Sequence, residues 1–93
     1  MYRGVAKRSY VAMNVRAEFY SRLRELVGAS NLEIALPDNA TVSDLMQHLF
    51  SEYPKLRDFQ NSMLFGIGVN FVEKSHPLRD GEVIAIMPPV QGG

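Results

Sequence analysis

The sequence predicts an α+β fold in which a mixed sheet packs on one main helix. Residues 11–20 alternate between apolar and polar side chains, which is the period of a half-buried strand. Residues 42–53 carry apolar side chains at offsets of three and four, which is the spacing of an amphipathic helix. More strand-like segments follow, and a helix with one apolar stripe must bury that stripe against one face of a sheet.

The N-terminal half predicts a strand, a short helix and a second strand. Alternate positions of the first strand face the core, namely Val11, Met13, Val15, Ala17 and Phe19. Residues 21–27 form the short helix, and Gly28 follows where a left-handed C′ residue is expected. Residues 31–36 alternate again and form the second strand.

The main helix is predicted to begin at a capping box. Thr41 is followed three residues later by Asp44, in place of the preferred Glu. The apolar stripe consists of Val42, Leu45, Met46, Leu49, Phe50 and Tyr53. Pro54 ends the helix, because the residue before a proline avoids the α region.

The C-terminal half predicts two more strands. Residues 64–69 form the first, with Phe65, Ile67 and Val69 facing inward and two glycines on the opposite side. Residues 78–81 form a turn, and residues 83–87 form the last strand. Residues 56–62 fit no element, and local patterns do not determine the order of the strands.

Length and composition exclude several classes of protein. The 93 residues suffice for one domain, and ten Lys and Arg balance ten Asp and Glu, so a nucleic-acid partner is not expected. No apolar run is long enough to span a membrane, and residues 1–10 lack the apolar core of a signal peptide. We expect a cytoplasmic protein with a flexible lead at 1–10, a folded domain at 11–87 and a flexible tail at 88–93.

The chain has no cysteine, which excludes disulfides and thiolate chemistry on a side chain. His48 and His76 stand apart from any group of metal ligands, so no metal site is expected.

The chemistry is predicted to reside in the tail, Pro88-Pro89-Val90-Gln91-Gly92-Gly93. The prolines stiffen the exit from the domain, and the glycines allow passage through a narrow slot. The carboxylate of Gly93 would then be the reactive group.

A partner-binding face is predicted beside this tail. Tyr20 and Met87 occupy positions that alternate with the inward-facing ones, so they are expected to face outward. Phe71 is a large apolar residue in an expected turn. The three should form an exposed apolar patch with Arg24 at its rim, because clustered apolar side chains mark a binding surface.

Several segments together resemble the small subunit of molybdopterin synthase: residues 19–28, 36–45, 69–70 followed by 76–83, and 88–93. The resemblance covers residues 11–93 and implies a β-grasp, ubiquitin-like fold. It also implies that a ubiquitin-activating-type enzyme uses ATP and Mg²⁺ to adenylate Gly93, after which sulfur converts the C-terminus to a thiocarboxylate.

The same resemblance implies partners and a product. The tail would enter the active site of a large subunit in a heterotetramer and donate sulfur to cyclic pyranopterin monophosphate, which gives the dithiolene of molybdopterin. The small subunit would bind no cofactor and would not itself be an enzyme.

Other functions remain open from the sequence. A ubiquitin-like modifier would join Gly93 to lysines, and a sulfur carrier of thiazole synthesis would share the fold and the Gly-Gly end. A binding module would tolerate loss of Gly93. An independent enzyme is disfavoured, because no organised set of acid–base groups is present.

Overall fold

A five-stranded mixed sheet covers one side of a long helix in the computed structural model, which describes residues 13–89. The strands are β1 (Met13–Phe19), β2 (Asn31–Leu36), β3 (Leu64–Ile67), β4 (Asn70–Val72) and β5 (Val83–Met87). The helices are α1 (Arg22–Val27), α2 (Val42–Glu52) and a 3₁₀ helix (Pro54–Phe59). The domain limits predicted at residues 11 and 88 stay predictions, since residues 1–12 and 90–93 lie outside the described range.

The sheet has the order β2-β1-β5-β3-β4. The two central strands, β1 and β5, run parallel, and every other neighbouring pair is antiparallel. Phe19 is registered with Ile86. Because the two strands point the same way, Tyr20 and Met87 leave the sheet at the same edge.

The predicted capping box at the start of α2 is confirmed. The Thr41 hydroxyl accepts a hydrogen bond from the Asp44 amide at 3.3 Å, and the Asp44 carboxylate accepts one from the Thr41 amide at 2.9 Å. Two further amides of the first turn donate to loop carbonyls, Val42 to His76 at 3.0 Å and Ser43 to Lys74 at 2.9 Å. The helix start is therefore tied to the loop between β4 and β5.

One apolar core lies between α2 and the sheet. In β1 and α2 it is formed by the positions predicted to face inward. The inward positions of β1 are buried from Met13 to Phe19. The apolar stripe of α2 is buried from Val42 to Phe50, and Tyr53 is half-buried at its end. Ile84 and Ile86 of β5 are completely buried, which leaves Met87 on the other face of the sheet.

The hairpin after residue 64 corrects the sequence prediction in two places. The strand ends at Ile67, and Gly68 and Val69 form a two-residue turn in which Gly68 has φ 62°. Glycine tolerates this conformation at the first central position of a type II′ turn. Val69, predicted to face inward, is 98% exposed. Phe71, predicted to lie in a turn, pairs with Gly66 within β4.

The segment that the sequence left unassigned begins with the 3₁₀ helix. Pro54 supplies its first residue, and fully buried Leu56 fixes it to the core. A six-residue 3₁₀ helix with one buried apolar anchor has too little periodicity to be recognised from sequence.

Candidate functional site: the outer sheet face and the root of the tail

The sheet face turned away from α2 divides into a polar and an apolar half. On β1 and β2 the Arg16 guanidinium and the Glu33 carboxylate form an exposed ion pair at 3.0 Å. On β5, β3 and β4 the outward positions are Val83, Ala85, Met87, Leu64, Gly66 and Phe71. The apolar half carries no charged side chain at these positions, so it is the part of the sheet suited to a protein partner.

The most exposed large apolar residues between residues 13 and 89 all lie on this apolar half or at its edge. They are Leu64, Tyr20, Val83, Phe71 and Val69. Together with Met87 they form what we call the sheet patch. Single exposed apolar residues are ordinary, but a contiguous group on one face indicates a binding surface.

The sheet patch contains a shallow depression of about 340 Å³. Its lining includes three of the predicted partner-binding residues, Tyr20, Phe71 and Met87. Gly66 lies beneath them, and a Cβ at this position would come within 3.4 Å of the terminal carbon of Met87. The missing side chain of Gly66 therefore lets Met87 lie close to the sheet. The structure brings the three residues together, and their role in partner binding stays a prediction.

Tyr20 is held by its polar end. Its hydroxyl donates to the Glu18 carboxylate at 3.1 Å. This hydrogen bond, together with the negative charge of Glu18, raises the pKa of Tyr20 above its ordinary value of 10.0, while the positive charge of Arg24 partly opposes the shift. The phenol is therefore neutral at physiological pH.

Arg24, the fourth predicted partner-binding residue, lies beside the sheet patch and does not line its depression. Its Nε donates to the Phe19 carbonyl at 3.4 Å, and its charge acts on the nearby Tyr20 phenol. The side chain is exposed on α1 and keeps donors free for a partner.

The root of the tail is at the same edge of the sheet. Pro88 and Pro89 follow β5, are half-buried, and line a groove of about 780 Å³ that also borders Tyr20 and Met87. The other tail residues named from the sequence, Val90, Gln91, Gly92 and Gly93, lie outside the described residues.

Three members of the sheet patch, Leu64, Val69 and Val83, were missed by sequence reasoning. Strand parity could have found Leu64 and Val83, because each precedes a buried residue, Phe65 and Ile84. The groove lining from the 3₁₀ helix, Phe59, could not have been found, because that segment had no predicted structure.

Across residues 13–89 there is no cluster of three or more potential metal ligands. His48 is exposed on α2, and His76 is half-buried in the loop before β5. Within the same residues no helix combines the length and apolarity needed to cross a membrane.

The chain matches proteins of one family over most of its length. The model of the ThiS family matches residues 17–93. The molybdopterin synthase sulfur carrier subunit of Escherichia coli is 35% identical over 81 residues, which are 85% of this chain and 99% of that protein. The subunit of the same name from Chlamydomonas reinhardtii is 26% identical over 83 residues, covering 87% of this chain and all of that protein.

Solved structures agree with the fold. A putative molybdopterin converting factor subunit 1 from Pyrococcus furiosus superposes with a TM-score of 0.77 at 25% identity, covering 85% of this chain and all of that chain. The small archaeal modifier protein 1 of Methanosarcina acetivorans superposes with a TM-score of 0.71 at 26% identity, covering 87% of this chain and 97% of that chain.

A third structure, the ubiquitin of Caldiarchaeum subterraneum, gives a TM-score of 0.58 at 15% identity, covering 87% of this chain and 98% of that chain. This likeness concerns the fold alone, and it confirms the predicted ubiquitin-like β-grasp. With the family model matched from residue 17 onward and a relative 35% identical along almost its whole length, the chain belongs to the ThiS family.

Proposed function

We propose that this chain is the sulfur-carrier small subunit of a molybdopterin synthase. The observation that carries the proposal is the 35% identity to the Escherichia coli sulfur carrier subunit over 99% of that protein. The arrangement of the sheet supports it, because an exposed apolar patch lies beside the point where the Gly-Gly tail leaves the domain.

The proposed chemistry takes place at the carboxylate of Gly93. A carboxylate is a poor electrophile, so a ubiquitin-activating-type enzyme first joins it to AMP from ATP with Mg²⁺ and releases pyrophosphate. A sulfide equivalent then attacks the acyl carbon, a carbon–sulfur bond forms, and the bond to AMP breaks. The product is a C-terminal thiocarboxylate.

The thiocarboxylate then acts inside a partner. The sulfur is transferred to cyclic pyranopterin monophosphate in the active site of a large subunit, and two such transfers build the dithiolene. The carrier contributes reach and a reactive end, whereas the large subunit orients the substrate and excludes water. In this proposal the chain binds no cofactor, has no catalytic site of its own and works in the cytoplasm within a heterotetramer.

The sheet patch supplies the docking step of this proposal. A tail with two terminal glycines cannot fix its own orientation at a distant active site, whereas a rigid apolar surface beside it can. Tyr20, Phe71 and Met87 are proposed anchors, since interfaces concentrate their binding energy in a few buried aromatic and apolar side chains. Arg24 is the proposed polar contact at the rim.

Reconstitution of the synthase tests the proposal. The full chain should support formation of molybdopterin with a large subunit, an activating enzyme, ATP and a sulfur source. A chain lacking Gly93, or extended by one residue after it, should give no product while showing an unchanged thermal melt. Full product formation without Gly93 would remove the carrier hypothesis.

A protein modifier is the second candidate, and the 26% identity to a small archaeal modifier protein favours it. Adenylation of Gly93 is common to both functions. They differ in the next step, because a modifier passes its acyl group to a lysine amine and forms an amide bond. Isolation of lysine conjugates that contain Gly93 from cells, with no thiocarboxylate form of the free protein, would favour the modifier.

A further inference from the structure

A groove beside the end of β5 receives the first residues of the tail. Pro88 and Pro89 lie along it, and both are half-buried. We call it the tail-root groove, and its remaining lining consists of Tyr20, Ser21, Arg22, Glu25, Phe59 and Met87. It differs from the sheet patch, because only Tyr20 and Met87 border both.

One wall of the groove is Phe59, the last residue of the 3₁₀ helix. Its ring is half-buried and packs against the core. Leu56 anchors the same helix with a completely buried side chain, and the amide of Ser62 donates to the Phe59 carbonyl at 3.0 Å. The ring is therefore attached to a fixed part of the domain.

The junction of β1 and α1 supplies further lining of the groove through Tyr20, Ser21, Arg22 and Glu25. The Tyr20 amide donates to the Ile86 carbonyl at 3.2 Å, which extends the parallel ladder one residue beyond β1. Ser21 follows with φ 54° and ψ −130°, a conformation that costs a residue with a Cβ about 1–3 kcal/mol. The surrounding hydrogen bonds hold this strained residue in place, since the Arg24 amide donates to its carbonyl at 3.1 Å.

The backbone of Pro88 and Pro89 cannot donate a hydrogen bond in the groove. The last registered pair of β5 joins Met87 to Leu64, and the two residues that follow are prolines, which have no N–H to donate. Packing against the groove walls therefore contributes to the direction of the chain after Met87. Two aromatic residues line the groove, Tyr20 after β1 and Phe59 at the end of the 3₁₀ helix.

We propose that Phe59 is a positioning residue for the tail: its ring supports Pro88 and Pro89 and so determines the direction in which the reactive end leaves the domain. The proposal rests on the proposed sulfur-carrier function. Docking through the sheet patch and aiming of the tail are then separate tasks. The first determines affinity for a partner, and the second determines the rate once the partner is bound, because a displacement of about 1 Å can cost about 100-fold in rate.

A pair of variants separates the two tasks in the reconstituted synthase. Phe59→Ala should lower the rate at saturating large subunit about tenfold, with affinity within about twofold of the unchanged chain. Phe71→Ala, on the sheet patch, should do the reverse and weaken affinity while leaving the saturated rate intact. Phe59→Tyr keeps the ring and should restore the rate, and Lys55→Ala, on the same 3₁₀ helix outside the groove, should match the unchanged chain.

A measurement on the free chain, which does not depend on synthase activity, tests this inference separately from the proposed function. Val90 carries the first backbone N–H after the two prolines, so relaxation of its amide nitrogen reports fast motion at the tail root. Phe59→Ala should increase that motion, and Phe59→Tyr and Lys55→Ala should not. If the unchanged chain acquires no sulfur, the proposed function fails, and the relaxation still decides whether Phe59 restrains the tail.

Three results would overturn the positioning role. One is a Phe59→Ala protein with unchanged saturated rate and unchanged Val90 motion. Another is a loss that lies wholly in affinity, which would make Phe59 part of the docking surface. The third is a loss of saturated rate in both Phe59→Tyr and Phe59→Ala that follows the fall in the melting temperature of each variant. That result would mean that the ring contributes to stability only.

Discussion

Tyr20 connects the polar and apolar halves of the outer sheet face. Its ring borders the depression of the sheet patch, and its hydroxyl donates to Glu18 on the polar side. Tyrosine suits such a position, because it combines a large apolar ring with a polar end that needs a partner. The hydrogen bond fixes the ring before any protein binds, so less freedom is lost on docking.

The raised pKa of Tyr20 gives a test of this arrangement. Glu18→Ala removes both the acceptor and the negative charge, so the pKa of Tyr20 should fall toward its ordinary value of 10.0. Arg24→Ala should move the same pKa upward, because Arg24 opposes the shift. A pH titration followed by NMR of labelled tyrosine rings would measure both, and identical values in all three proteins would contradict the hydrogen bond.

The sign of the pH dependence follows from this shift. A folded-state pKa above the unfolded value means that the protonated phenol is favoured in the fold. That contribution to stability is present below the ordinary pKa of 10.0 and is lost as the pH rises through the higher folded value. In Glu18→Ala this pH-dependent loss should become smaller, because the folded pKa of Tyr20 approaches the unfolded value.

Met87 is the residue whose substitution should most weaken docking. It is half-buried, belongs to the sheet patch and also lines the tail-root groove, and its flexible side chain can adapt to two partners in turn. Met87→Asp should weaken binding of the large subunit and of the activating enzyme by roughly 2 kcal/mol or more, the cost typical of a central anchor.

Binding isotherms with both partners would measure the effect of Met87→Asp, beside thermal melts of the free chain. Gln47→Asp, on the exposed side of α2, is the matched control and should bind as the unchanged chain does. Unchanged affinity for Met87→Asp would remove it from the interface, and a collapsed melt would assign it to the core.

At the scale of elements, α2 depends on its capping box. Asp44 accepts hydrogen bonds from the Thr41 amide at 2.9 Å and from the Thr41 hydroxyl at 3.1 Å. Asp44→Ala should lower the free energy of unfolding by about 1 kcal/mol, since it removes both bonds and an anion at the positive end of the helix.

Urea unfolding of Asp44→Ala would measure this cost. Gln47→Ala, in the second turn of the same helix, should stay within about 0.5 kcal/mol of the unchanged chain, as exposed substitutions usually do. Equal urea midpoints of unfolding for Asp44→Ala and Gln47→Ala would show that the capping box adds nothing to stability.

The elements that the sequence predicted well are those with strong local signals. The bounds of β2 and β5 are the predicted ones, and α2 has the predicted stripe, because burial on one face forces a regular period. The β3–β4 hairpin was misread, because apolar alternation continues through Val69 although Gly68 already turns the chain. A two-residue turn inside an alternating run is determined by backbone geometry that hydrophobicity does not report.

At the scale of the whole molecule, the site is a product of topology. Tyr20 and Met87 are far apart in sequence and become neighbours only because β1 and β5 pair in parallel. Local patterns contain no information about that pairing, so strand parity could name Tyr20 and Met87 as outward-facing but could not show that they are neighbours. Phe71 reaches the patch through β4, which the sequence did not predict as a strand.

The topology also gives the two faces of the sheet different tasks. The inner face and α2 form the core, and the outer face leaves its apolar half uncovered within the described residues. The tail begins where that uncovered half ends, at Met87. A partner that covers the patch would therefore hold the root of the tail at a fixed place, as the proposed sulfur delivery requires.

The central claim is that Gly93 carries sulfur, and the intact mass of the chain tests it most directly. After incubation with the activating enzyme, ATP, Mg²⁺ and a sulfide source, the mass should rise by the replacement of one oxygen by sulfur, and fragmentation should place that sulfur on Gly93. The Escherichia coli relative, treated in parallel, shows that the enzyme is active. An unchanged mass beside a converted relative, or equal sulfur uptake by a chain that lacks Gly93, would contradict the account.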